Sequence, residues 1–117
     1  IIIACDFEHP IVKGDTRVFI NKYGKVIKIS RRLRKFNGGY RGITLCRYSS
    51  LKIYKRSVID ILKHKGKNAN VEDVLGRLIS NDLFLTLCDI SKLLWFHINT
   101  KDDLEKAERE LKNQKNL

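Results

Sequence analysis

The stretch Trp95-Phe96-His97-Ile98-Asn99-Thr100-Lys101-Asp102-Asp103-Leu104 decides how the rest of this chain is read. It closes an apolar run of strand length, Leu93–Ile98. It then gives Thr100 followed three residues later by Asp103, the spacing of a capping box at a helix start. Leu104, Ala107 and Leu111 recur at helical spacing. Glu105 with Arg109 and Glu108 with Lys112 are i,i+4 pairs in the favourable orientation. A strand running into a capped helix is where α/β folds hold anionic ligands, because the first amides of the helix and its dipole point at them.

Working towards the N-terminus, the apolar run Leu83–Leu87 reads as another strand, separated from Leu93–Ile98 by the polar break Asp89–Lys92. Two helices precede it. One has Ser50 at its start and Leu51, Tyr54, Val58, Ile61 and Leu62 on one face, with Gly66 as its stop. The other opens on a capping box, Asn70 and Asp73, and presents Val71, Val74, Leu75, Leu78 and Ile79. Gly42–Arg47 has a strand pattern. Thr16–Ile20 and Lys25–Ser30 flank Asn21-Lys22-Tyr23-Gly24, the signature of a β-hairpin. The continuous apolar run Ile1–Cys5 reads as a strand buried on both faces, as at the centre of a parallel sheet. The expected fold is therefore α/β, a mixed, mostly parallel sheet flanked by helices, with a hairpin excursion. The expected domain spans 1–112, followed by a frayed tail over 113–117.

At 117 residues with 43% hydrophobic content, the chain suits one domain with a real core. No apolar run approaches the roughly 20 residues needed to span a bilayer, and no secretory signal is visible, so a cytoplasmic protein is expected. Cys5, Cys46 and Cys88 are far apart and lie in apolar runs, which reads as buried strand thiols rather than a metal site. Methionine is absent and a strand begins at residue 1. Both features read as a cut through a fold, so part of the domain is expected ahead of Ile1 or in a partner chain. The excess of 24 basic over 13 acidic residues, a net charge of +11, favours polyanionic partners.

The segment Trp95–Ala107 resembles the W-x-D-I-D-T-x-x-D-L-x-x-A motif of sugar-phosphate and polyol-phosphate nucleotidyltransferases, matching at Trp95, Ile98, Thr100, Asp103, Leu104 and Ala107. The hairpin with Val18, Gly24, Val26 and Ile29, the basic linker, the Gly42-Ile43 strand and the two helices follow the order of that family's C-terminal half. The resemblance implies a partial Rossmann-like, GT-A-like sheet. It also implies transfer of a nucleotidyl group from an NTP to a phosphorylated sugar, inositol or similar alcohol, with release of pyrophosphate and with Mg²⁺ as cofactor. Lys28 and Arg31 would contact the acceptor phosphate, Asp6 would face substrate, and Thr100 with the following amides would face phosphate. Asn99 stands at a metal-ligand position where the family has aspartate, and His97 replaces the other aspartate. An amide oxygen is a poorer Mg²⁺ ligand than a carboxylate. The family's glycine-rich triphosphate loop is not in this sequence, so the chain alone is expected to be inactive.

A reading of a different class rests on Lys25, Lys28, Arg31, Arg32, Arg34 and Lys35, with Tyr23, Phe36 and Tyr40 nearby. Such a cluster would track a nucleic-acid backbone while its aromatics stack bases. A third reading is a degenerate domain kept for regulation or assembly.

Overall fold

The computed structural model describes residues 1–115. Its elements are β1 (Ile2–Asp6), β2 (Arg17–Ile20), β3 (Val26–Ser30), β4 (Gly38–Leu45), α1 (Leu51–Lys65), α2 (Val71–Ser80), β5 (Thr86–Asp89) and α3 (Lys101–Lys115). The fold is α/β, with one mixed five-stranded sheet in the order β3-β2-β4-β1-β5. Only the β1–β5 pair is parallel; β1–β4, β2–β4 and β2–β3 are antiparallel. The expected mostly parallel sheet is thus corrected. A buried apolar strand such as β1 is continuous in hydrophobicity whether its neighbours run with it or against it.

One row of the sheet organises the rest. Ser30 pairs with Arg17, Arg17 with Gly39, and Gly39 with Asp6, while Cys5 lies beside Asp89. β1, β3 and β5 all end at this row. The β2–β3 hairpin starts there and continues past the end of β1, which is the expected excursion. Its turn is set by Asn21, whose side-chain carbonyl accepts from the amides of Tyr23 and Lys25, and by Gly24 at φ 79°. β2 pairs with β4 only at Gly38 and Gly39, so among the described residues no strand lines that edge of β4 from Tyr40 onwards, where Ile43 and Leu45 are exposed. Gly42, at φ 83°, lies in an irregularity that shifts the β1–β4 register.

Helices α1 and α2 cover one face. Val74, Leu75 and Leu78 of α2 and Tyr54, Val58 and Ile61 of α1 pack with Ile3, Cys5, Val18, Val26, Ile29 and Tyr40. Each fully buried aliphatic side chain there contributes about 1.5–3 kcal/mol through burial alone. The capping box of α2 forms as expected, Asn70 accepting from the Asp73 amide and Asp73 accepting from the Asn70 amide. At α1, Ser50 is the last residue of a 3₁₀ turn and its side chain makes no cap hydrogen bond, unlike the expectation; Gly66 ends the helix as expected.

The C-terminal part departs most. Leu93–Ile98 forms no strand, and Leu93, Leu94 and Ile98 are exposed. An apolar run becomes a strand only with a ladder to join, and here the chain turns away after β5 at Ile90–Leu93. β5 itself begins three residues later than the apolar run expected to form it. α3 continues through Asn113, so the expected tail starts inside a helix; residues 116–117 lie outside those described. Of the cysteines only Cys5 is buried, its thiol pushed up to about 12 by burial; Cys88 is exposed.

Candidate functional site

Asp6, at the end of β1, is completely buried. It earns no access to solvent or substrate, because four donors enclose it. Its Oδ1 accepts the amides of Glu8 at 2.8 Å and His9 at 3.0 Å. Its Oδ2 accepts the Trp95 indole N–H at 2.7 Å and meets His9 Nδ1. Burial opposes its charge, but the two amides, the indole and His9 outweigh it and hold the carboxyl below its ordinary 3.8. The expected substrate-facing carboxylate is therefore a structural knot joining β1 to Trp95. Beside it, Asp89 accepts from the amide and hydroxyl of Ser91, and the Ser91 Oγ accepts the Phe7 amide.

Trp95 has a second partner. The guanidinium of Arg41 lies 4.4 Å from its ring centroid, and His9 meets the same ring edge-on at 5.1 Å. Arg41 lies close over Gly39, where an added Cβ would come within 3.1 Å of the guanidinium carbon. Its side chain is only 5% exposed, and its one ionic contact is a long 3.3 Å bond from Nη1 to Asp15 Oδ2. Nε and Nη2 are buried and have no hydrogen-bond partner among the described residues. A cleft of about 220 Å³ opens at this point, lined by Arg41, Trp95, Asp15, His97, Asn99 and Asp103 among others. Asn99 and Thr100 begin α3, and their amides donate to Asp103 Oδ2 while the Asp103 amide donates to Thr100 Oγ1. The capping box expected from the sequence is formed, and it turns the Thr100 hydroxyl to the helix start.

Arg31 lies elsewhere, just past the β3 end of the same row. It lines a larger cleft of about 680 Å³ with Ser30, Arg32, His64, Lys65, Asn70, Glu72 and Asp73. Arg31 Nε meets the buried carboxylate of Glu72, and Lys65 Nζ reaches Asp73 at 2.7 Å. Arg31 and Asp6 are separated by three strand spacings, roughly 14 Å. Lys28 does not join Arg31: it lines a third groove with Ile27, Leu33, Gly76 and Ile79. Around the basic cluster, Arg17 stacks on Phe36, Lys35 on Phe19 and Lys22 on Tyr23, so one face of each ring is covered by a cation.

The sequence reading passed over Arg41 and Glu72. Glu72 sits in the α2 capping sequence and looks like a first-turn acid, while Arg41 sits between glycine-rich strand positions with no motif around it. Among the described residues, no three His, Cys, Asp or Glu side chains come together to hold a metal ion. Position 99 supplies an amide, Asp6 is enclosed, and Asp103 caps α3. Among the described residues, these side chains do not fit a Mg²⁺ site. No helix among the described residues is long and apolar enough to cross a membrane.

No protein-family model matches the sequence, and no curated protein does either. Among solved structures, the chain is similar in fold to the inositol-1-phosphate CTP transferase from T. maritima, with a TM-score of 0.62 and 17% sequence identity. The likeness covers 91% of this chain and 42% of that one, so this chain spans less than half the length of the transferase it resembles.

Proposed function

We propose that this chain is the acceptor-binding portion of a nucleotidyltransferase that joins a nucleotidyl group from an NTP to a phosphorylated sugar, inositol or related alcohol. The observation that carries this reading is the fold likeness to a CTP transferase over nearly the whole chain. The Arg31 cleft supplies matching chemistry: Arg31, Arg32 and Lys65 offer cationic groups for a phosphate, and Glu72, Asp73 and Asn70 offer acceptors and an amide for hydroxyls. Arg31 is the acceptor-phosphate contact in this reading, and Lys28 lies outside that cleft. The chain's part in the reaction is to bind and orient the acceptor, which lowers the barrier by fixing the attacking oxygen near its target. In this reading the nucleotide is held by residues that this chain does not supply, and the chain by itself releases no pyrophosphate.

Calorimetric titration of the 117-residue chain with inositol 1-phosphate tests this. Saturable binding is expected, weakened about tenfold or more in Arg31→Ala, the loss of one charge-assisted contact. Binding that is absent, or indifferent to Arg31→Ala, removes the acceptor role. Pyrophosphate release from an NTP by this chain alone would show that it carries its own nucleotide site.

A further inference from the structure

We propose that Arg41 anchors a metal-independent phosphate site in the cleft bounded by Trp95, His97 and the start of α3. A guanidinium forms its strongest contacts as a fork, two parallel N–H groups to two oxygens. Among the described residues only one prong is occupied. Nη1 reaches Asp15 at 3.3 Å, while Nη2 and Nε have no acceptor and are closed to solvent. Leaving such groups buried and unpaired is costly, and most proteins avoid it. The surroundings hold the guanidinium in place all the same: Trp95 stacks on it at 4.4 Å, and Gly39 leaves room for it against β4. The arrangement is a rigid, half-filled fork on a side chain that lines the cleft.

The second wall of the cleft is the N-terminus of α3. Asp103 accepts the amides of Asn99 and Thr100, and the amides of Lys101 and Asp102, as the first two of the helix, have no intrahelical acceptor. An oxyanion that displaces Asp15 takes the Nη1–Nη2 edge with two oxygens and turns a third towards α3 and His97. A phosphate has that third oxygen; a carboxylate, like Asp15 itself, does not. Asp15 is the internal competitor, on a loop where Gly14 adopts φ 93° and Asp15 Oδ2 also accepts the Val12 amide at 3.0 Å. Asp15 and Asp103 both line the cleft and weaken the affinity for an anion. The positions that resemble metal-ligating aspartates hold His97 and Asn99 here, and the arginine brings the positive charge to the same cleft. This site stands without the nucleotidyl-transfer reading, which rests on the Arg31 cleft.

Trp95 is the sole tryptophan and reports on its own stacking partner. The 117-residue chain is titrated with inorganic phosphate in EDTA, with chloride and acetate at matched ionic strength, while Trp95 fluorescence is recorded. A saturable response to phosphate is expected, weakened about tenfold or more in Arg41→Met and tightened about threefold or more in Asp15→Asn. Arg41→Met leaves Asp15 without its ionic partner, so its circular dichroism and urea unfolding are recorded beside the titration, and a cooperatively folded Arg41→Met that has lost the phosphate response shows that its loss of binding is not unfolding. Four results would overturn the site: no phosphate response, an equal response to acetate, a response that requires Mg²⁺, or a response lost in Arg31→Met but retained in Arg41→Met. If inositol 1-phosphate fails to bind while Arg41-dependent phosphate binding persists, the transfer reading falls and this site remains.

Discussion

Helices α2 and α3 begin with the same local device and end up in different surroundings. Asn70 with Asp73, and Thr100 with Asp103, form reciprocal capping boxes. Both helices carry apolar residues on one face. Yet α2 buries Val74, Leu75 and Leu78 against β3 and α1, whereas α3 buries Ala107 and leaves Leu104 and Leu111 more than two-fifths exposed. The capping code fixes where a helix starts, since it concerns four neighbouring residues. Whether the helix is held down depends on a facing surface, which its own sequence does not supply.

The largest test of this contrast is truncation on each helix. Leu75→Ala is expected to cost about 3–5 kcal/mol in urea unfolding, through lost burial and a cavity in the core. Leu111→Ala is expected to cost less than about 0.5 kcal/mol; a loss like that at Leu75 would mean that α3 has an apolar partner. Asp6 ranks next. Asp6→Asn is expected to cost about 2–3 kcal/mol at neutral pH, because an amide oxygen accepts the amide, indole and His9 donors less well than a carboxylate. The folded Asp6 titrates below its ordinary 3.8. Its contribution is therefore complete above about pH 3.8 and is lost as the pH falls through the lower folded value. An acid-unfolding curve should flatten in that window in Asp6→Asn, and an unchanged curve would remove Asp6 as the acid-sensitive group. The smallest effect separates the two caps. Asn70→Ala is expected to lower global stability by about 1 kcal/mol. Thr100→Ala should instead leave the global midpoint in place and speed amide exchange only in the first turn of α3.

What could be read from the sequence was local. The hairpin loop depends on Asn21 and Gly24 within it, and both capping boxes span four residues; all three took the expected form. The faces of α1 and α2 followed from spacing at Tyr54, Val58, Ile61, Val74, Leu75, Leu78 and Ile79, while Leu62 and Val71, expected on the same faces, are exposed. Strand direction could not be read, because Ile1–Cys5 is equally apolar beside parallel or antiparallel neighbours. Leu93–Ile98 has strand composition but no edge to join. Asp6 has the placement of a ligand-facing acid at a strand end; Glu8 and His9 lie near it in sequence, but the Trp95 indole that completes its enclosure is 89 residues away. Arg31 was found through its charge cluster, and Lys28 from the same cluster faces another groove. Arg41 carried no signal, since its unusual state comes from Gly39, Trp95 and Asp15 meeting around it.

The parallel pairing of β1 with β5 has a consequence for synthesis. Ile2 pairs with Thr86, so β1 leaves the ribosome long before β5 exists. At about 5–20 residues per second, the separation of 84 residues corresponds to roughly 4–17 s of translation. In that interval β4 is available to β1 and β5 is not, so the edge of β1 that β5 covers has no native partner. The nascent chain is then most open to chaperone binding or to pairing with another nascent copy, and slower translation lengthens that exposure.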